Sequence, residues 1–338
     1  MTRTFSMTRR SLLALGTALS LAALPAIAPA QESPFEMTFA YGWISNIEQG
    51  GLFAGLDQGY FSEEGLAVDF IPGGPNAPQT LVSLSAGTAD IVTANWLPVL
   101  DAIASGNDFV VLGALWNKSP AAFISMGDLP LDKAEALVGK TYLAQKPEDS
   151  EIIDAILDIN GLPHEYEVKP TGFSPEPLVA GDGDIYFAFA TNQPITLENM
   201  GMTEGTDFHT TLFDDLGYDV KQGLIVARRD YVEENRDKVV GFLRGFMKGW
   251  DYAVENPEAV ADLVVNEYGA DLGLEKAQQV RQMELQTDLI PPAEGEPYFV
   301  FDPALIDGIM TDVAGGRTVP PVDQLLDLSL AKEAAAGL

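Results

Sequence analysis

The 338 residues leave room for two domains of ordinary size, and 46% apolar with 20% charged residues is the composition of a folded chain, not a disordered or fibrous one. Fifty acids against 19 Lys and Arg leave a net charge of -31, which excludes nucleic-acid backbones and anionic membrane surfaces as partners. Cysteine is absent, so disulfides, thiolate metal sites and cysteine nucleophiles are excluded too.

The chain begins with an address. Arg3, Arg9 and Arg10 precede an apolar stretch from Leu12 to Leu24, and Ala28-Pro29-Ala30 has the small-x-small cleavage pattern. Residues 1–30 are therefore expected to be a signal peptide, cut near Ala30, that sends the protein to the periplasm. Thr8-Arg9-Arg10-Ser11-Leu12-Leu13 also resembles a twin-arginine signal. Gly16, Thr17 and Ser20 interrupt the apolar run, which is short of the ~20 residues a spanning helix needs, and no later segment reaches that length. Removing residues 1–30 takes away three positive charges and no negative ones, leaving -34.

Beyond the address, short β-like runs alternate with stretches of helical length, the pattern of α/β layers. The runs are Met37 to Tyr41, Val68 to Ile71, Asp90 to Ala94, Phe109 to Leu115, Ile185 to Ala190 and Gly223 to Ala227. Pro72-Gly73-Gly74-Pro75-Asn76-Ala77-Pro78 is a loop after the second run; without a following Gly-Lys-Ser/Thr it is not a phosphate cradle. Asp230 to Glu255 reads as one helix, capped by Asp230 with Glu233 three residues on, with Val239, Leu243, Phe246, Trp250 and Val254 on one face. That assigns Trp250 to the core. Asn256-Pro257 starts another helix, and the tail from Asp302 alternates further helical stretches with Pro320-Pro321.

No constellation for catalysis is visible. Gly-x-Ser-x-Gly, His-Glu-x-x-His and EF-hand patterns are missing, His164 and His209 stand 45 residues apart, and Asp182-Gly183-Asp184 reads as a turn. No cofactor, metal or enzymatic activity is expected. What the chain does offer is aromatic and amide residues where strands end. Trp43 with Asn46 follows the first run, Asn95 with Trp96 the third, and Trp116 the fourth, while Tyr186, Phe187, Phe189, Asn192 and Gln193 gather around a later one. Phe173 and Ser174 precede Pro175, where a helix start leaves amides and a hydroxyl at a loop edge. Ligands of open α/β sheets settle outside the carboxyl ends of strands, and flat rings with directed amides suit a planar small molecule.

Several segments together carry a resemblance. Gly59-Tyr60-Phe61-x-x-Glu64-Gly65-Leu66 before a strand, Pro72-Gly73-Gly74, Gly87-x-Ala89-Asp90-Ile91, and Ala227-Arg228-Arg229-Asp230-Tyr231 leading to Gly249-Trp250 resemble the solute-binding proteins of ABC importers. The group in question contains the sulfonate and nitrate binders and the NMT1/THI5-like binders of thiamine-pyrimidine precursors. The resemblance implies a type II periplasmic-binding-protein fold with two α/β lobes, residues 36–124 plus 223–338 and residues 125–222, and a ligand cleft between them. It also implies a monomer, a cognate membrane permease as partner and closure on the ligand, with Gly65-Leu66 and Gly87-Asp90 as fold markers, not ligand contacts.

The distribution of charge bears on the ligand. Between Gln31 and Asn117, and again between Pro170 and Val220, there is no Lys or Arg, while these stretches hold ten and nine acids. An anion would have to rely on helix amides or on Lys118, Lys140 or Lys146, so a neutral or weakly cationic nitrogen heterocycle is expected and a sulfonate or nitrate is the alternative. Where the resembling pyrimidine binders hold their ring, this chain presents the amides Asn192 and Gln193, with Glu48 the nearest acid and a solvated helix position its simpler reading. An enzyme of pyrimidine synthesis is the remote alternative, because relatives of that kind depend on histidine and a cysteine-rich motif.

Overall fold

The computed structural model describes residues 33–293 and 295–338, so the expected signal peptide lies outside the described residues. Among the described residues ten strands form two five-stranded mixed sheets, one per lobe. In chain order they are β1 (Phe35–Ala40), β2 (Leu66–Ile71), β3 (Ile91–Ala94), β4 (Phe109–Trp116), β5 (Ala121–Met126), β6 (Lys140–Ala144), β7 (Tyr166–Pro170), β8 (Ile185–Phe189), β9 (Phe208–Leu212) and β10 (Gln222–Arg228). The first sheet has the order β2-β1-β3-β10-β4 and the second β7-β6-β8-β5-β9. The chain therefore passes to the second sheet after Trp116 and returns with β10, which runs antiparallel between β3 and β4. This is the two-lobed α/β architecture expected of the chain. Among the described residues no helix is long and apolar enough to cross a membrane.

Four strands of the second lobe, β5, β6, β7 and β9, are absent from the sequence reading. β7 and β9 are the edges of that sheet, and Tyr-Glu-Val-Lys-Pro and Phe-His-Thr-Thr-Leu are too polar to stand out. The fully buried β4 stands at an edge of the first sheet, yet the C-terminal part of the chain covers it: Ala114 N donates to Phe299 O at 2.9 Å and Asp327 N to Val111 O at 2.9 Å. Phe299 takes φ +68° to make this approach, and a Cβ on Gly113 would overlap its carbonyl.

The expected single helix over 230–255 is two. Arg228 still belongs to β10, where its Nη1 donates to Leu84 O at 2.8 Å and Ala89 O at 3.1 Å, and the helix Arg229–Glu234 starts directly after it. Asp230 therefore lies inside a helix and is not its cap. The break falls at Asn235, whose side-chain amide takes the Tyr231 carbonyl at 3.1 Å in competition with the helical ladder. The long helix Arg236–Glu255 does bury Val239, Leu243, Phe246 and Trp250, and Pro257–Leu263 follows Asn256 as read from the sequence.

The recurring motifs act as scaffold. Gly59 adopts φ +76°, a left-handed turn that a side chain would strain, and brings Phe61 into the core, stacked on Phe242 at 5.4 Å. Glu64 pairs with Arg244 at 2.6 Å on the long helix, and Asp90 accepts from Thr38 N at 2.8 Å, tying β3 to β1. Asp184 does the same in the second lobe, accepting from Thr141 N at 2.8 Å, which accounts for the Asp182-Gly183-Asp184 turn.

Two arginines join the lobes beside the cleft. Arg281, on the helix Lys276–Gln286 of the first lobe, reaches Glu198 of the second at 3.2 Å. Arg317 pairs with Asp101 of the first lobe at 2.7 Å and with Glu151 of the second at 2.6 Å.

Candidate functional site

Two adjoining cavities of about 290 and 170 Å³ lie between the sheets. They share a wall of Thr93, Asn95, Gln145, Lys146, Phe189 and Gln222, so they are two chambers of one interlobe cleft. Phe187 and Trp96 belong to the larger chamber; Trp43, Phe173, Trp116, Asn192 and Gln193 belong to the smaller.

Trp43 leaves the end of β1 and Phe173 enters from the loop after β7, so their edge contact at 4.8 Å is made from opposite lobes. Gln193 sets the second ring and its neighbour: its Oε1 accepts from Phe189 N at 2.8 Å and its Nε2 donates to Phe173 O at 3.4 Å. Trp116 and Trp96 are almost wholly buried yet contribute to the wall, and Phe187 faces the cleft while packing on Phe123 and Phe213 at 5.0 and 5.5 Å. Asn95 and Asn192 precede helices, but neither side chain makes a cap hydrogen bond.

Three of the expected site residues stand elsewhere. Asn46 is buried and its Oδ1 accepts from Glu48 N at 3.1 Å, closing a tight turn behind the cleft. Ser174 stands before the short helix Glu176–Val179, its Oγ accepting from Glu176 N at 3.3 Å, while Pro175 takes the cap position. Tyr186 lies in the core of the second lobe, where its hydroxyl donates to Gly172 O at 2.9 Å and accepts from Gln145 Nε2 at 2.9 Å. It acts on the cleft through Gln145. That amide also donates to Phe187 O at 2.9 Å, so both of its N–H groups are used in the wall and its carbonyl oxygen is what it can offer a ligand.

Sequence reasoning missed Gln145, Thr93, Gln49, Gln222 and the true setting of Glu48, while Lys146, named there with Lys118 and Lys140 as a cation an anion would need, does line both chambers. Gln145 and Lys146 follow β6, a strand the sequence reading did not recognise. Gln222 begins β10, and because β10 runs antiparallel its amino end faces the cleft, where a search of carboxyl ends does not look. Glu48 is not a solvated helix residue: it is buried in the turn Ile47–Gln49 and lines the smaller chamber. Burial pushes its carboxyl up to about 7, against hydrogen bonds from Gln282 and Asn46 that favour the charged form. Asp149, buried under the larger chamber, is also pushed up by burial even though its Oδ2 accepts from Gln145 N and Lys146 N at 2.8 and 3.0 Å.

The charged residues of the walls are Glu48, Glu148, Asp149 and Lys146, an excess of acid. Lys146 is thus one cation in a cleft that the charge distribution had made nearly bare. Lys118 instead bridges Asp214 and Asp215 at 3.3 and 3.2 Å, and neither it nor Lys140 lines a chamber. His164 is held by Asp158 and Asp154 at 2.8 and 3.3 Å and His209 by Gly127 O at 3.2 Å, both outside the chambers. Several buried wall groups have no partner among the described residues, namely Gln49 Oε1, Gln222 Oε1 and Trp96 Nε1. An unsatisfied buried group costs ~1–3 kcal/mol, so these atoms favour an occupant that hydrogen-bonds them.

Comparison with known proteins agrees with this geometry. Residues 46–260 match the family model described as NMT1/THI5 like. The formylaminopyrimidine-binding protein of Halalkalibacterium halodurans is 27% identical over 240 residues, 69% of this chain and 71% of that protein. The riboflavin-binding protein RibY of Chloroflexus aurantiacus is 24% identical over 250 residues, 72% of this chain and 70% of that one. Among solved structures, the periplasmic aliphatic sulphonate binding protein SsuA of Escherichia coli superposes with a TM-score of 0.64 at 17% identity, covering 88% of this chain and 92% of the other. The chain belongs to the NMT1/THI5-like family and has the two-lobed fold of the periplasmic binding proteins.

Proposed function

We infer that this protein is the substrate-binding component of an ABC importer, working in the periplasm after export and capturing a planar nitrogen heterocycle between its lobes. One observation carries the reading: the cleft combines aromatic faces and unpaired amide groups with an excess of acid, centred on a buried Glu48. Rings such as Trp43, Phe173 and Phe189 supply stacking surface, and Asn95, Gln145, Asn192 and Gln222 supply donors and acceptors that orient a flat polar ring. The formylaminopyrimidine and riboflavin named for the two relatives are both molecules of this kind. The sulfonate alternative is disfavoured, since an anion would share the cleft with Glu48 and have Lys146 as its one cation among the described wall residues.

Closure would bring Trp43 onto Phe173 and set the Arg281 and Arg317 pairs, so that the permease meets a different surface in the liganded protein. Native mass spectrometry of freshly purified protein, followed by thermal shifts with aminopyrimidines, flavins, alkanesulfonates and nitrate, tests the reading. A heterocycle at a hundred times its dissociation constant should add ~2.7 kcal/mol of stability. Stabilisation by sulfonates or nitrate alone would overturn it, and turnover of a ligand would replace it with an enzyme.

Trp43→Ala is expected to weaken heterocycle binding by ~1–3 kcal/mol, the range for stacking of a base on an aromatic ring, without lowering the melting temperature of the ligand-free protein comparably. Isothermal titration beside a melting curve reads both. Unchanged affinity would remove Trp43 from the site.

A further inference from the structure

Glu48 is a carboxyl that the fold does not need and does not neutralise. Its turn is held from behind by three glutamines of the Lys276–Gln286 helix: Gln279 Oε1 accepts from Ile47 N at 2.9 Å, Gln286 Nε2 donates to Ile47 O at 3.1 Å, and Gln282 Nε2 donates to Glu48 Oε1 at 3.2 Å. All three are neutral and buried. Of the cations on that helix, Arg281 is turned away to Glu198 and Glu284 at 3.2 and 3.4 Å and Lys276 to Asp262 at 2.8 Å. Asn46, at the start of the turn, is neutral, and the helix Gly50–Asp57 that continues it places no charged residue in the chamber wall. Across the chamber the one charged group is Lys146, and among the described residues no ion pair joins it to Glu48 within 4 Å. A buried carboxyl in this setting has to find its counterpart in whatever enters the chamber.

We propose that Glu48 determines ligand class, selecting a heterocycle with a weakly basic ring nitrogen and holding one proton between its carboxyl and that nitrogen. The proposal rests on the heterocycle reading of the cleft and narrows it. A basic ring nitrogen beside an amino group presents an acceptor and a donor side by side, which a carboxyl with one proton matches in a paired hydrogen bond. A flavin ring has no nitrogen that takes up a proton near neutrality; its imide N–H can donate to the ionised carboxyl, so a flavin would meet Glu48 without uptake of a proton.

The proton count makes the proposal measurable. The free carboxyl loses its proton at about 7. With the free ring nitrogen also unprotonated above that pH, forming the complex takes one proton from solvent, and affinity falls about tenfold for each further pH unit. The probe is 4-amino-2-methylpyrimidine, titrated calorimetrically into the full chain, with protons counted from buffers of different ionisation enthalpy. The dissociation constant is expected to rise roughly a hundredfold over about two pH units above neutrality, with uptake of one proton. Glu48→Gln keeps an oxygen for Gln282 and replaces the acid proton with an amide N–H, so it should still bind with an affinity that no longer changes over that range. The proton count in the unmodified protein needs no variant and stands even where the substitution disturbs folding.

Binding of the pyrimidine with no proton uptake, or an unchanged slope in Glu48→Gln, overturns the assignment of Glu48 and leaves the heterocycle reading intact. Riboflavin bound more tightly than the pyrimidine at neutral pH also overturns it. Failure of both probes to bind overturns the heterocycle reading together with this one.

Discussion

Glu48→Gln should make the ligand-free protein more stable than the unmodified chain by about 3 kcal/mol at mildly alkaline pH, with the difference vanishing below the ordinary carboxyl pKa. In the unfolded chain this carboxyl ionises at 4.5, in the fold at about 7. The folded state therefore favours the protonated acid, and stability from this group is fully present below 4.5 and lost as pH rises through about 7. A glutamine has no proton to lose and keeps the Gln282 contact. Urea unfolding of protein stripped of ligand by denaturation and refolding measures the difference. Equal stabilities at both ends of the range would show that burial does not penalise Glu48, and the account of the cleft would lose its centre. A residue that weakens the empty fold at neutral pH fits a function placed in the bound state.

Trp250→Ala should cost ~3–5 kcal/mol of stability and leave the affinity of the folded protein for its ligand unchanged. The indole is fully buried between the Arg236–Glu255 helix and the Gly50–Asp57 helix. Glycines make the fit possible: a Cβ on Gly51 would collide with the Trp250 ring, and one on Gly249 with the carbonyl of Gly51. Truncation leaves a void lined by two helices that are already at closest approach and cannot fall inward to fill it. Trp250 Nε1 has no partner among the described residues, which trims the loss because the alanine leaves no such donor. Gly249→Ala acts on the same contact from the other side and should cost ~1–3 kcal/mol by forcing the helices apart. Denaturant midpoints give both values. A loss under about 1 kcal/mol for Trp250→Ala would mean that the packing is looser than its geometry. Trp250 lines neither chamber, so a change in ligand affinity would equally count against this assignment.

Local pattern made the first lobe legible. Its strands are strongly apolar and bounded by glycine and proline turns, and its motifs sit where one residue type is required, as at Gly59 and Gly249. The second lobe was harder to read because two of its strands are polar edges; the other two missed strands, of six and five residues, are no shorter than strands that were recognised. The aromatic residues at strand ends stood out because rings beside asparagines are unusual in a core, and Trp43, Trp96, Trp116, Phe173, Phe187 and Phe189 do line the chambers. Tyr186 and Asn46 carry the same signature, yet they support the wall from behind.

The sequence by itself determined an acidic α/β chain of a recognisable binding-protein group, with most of its aromatic cleft and without a catalytic constellation. Only the tertiary structure decided what is charged inside that cleft. Glu48 looks like a solvated acid in Ile47-Glu48-Gln49, but three glutamines more than two hundred residues away hold that turn from behind and one of them, Gln282, donates to its carboxyl. Lys146 and Gln222 enter the wall because a short strand and an antiparallel return point them there, and Arg281 and Arg317 meet their acids across lobes. Charge patterning along a chain reports composition, whereas desolvation depends on neighbours that only folding supplies.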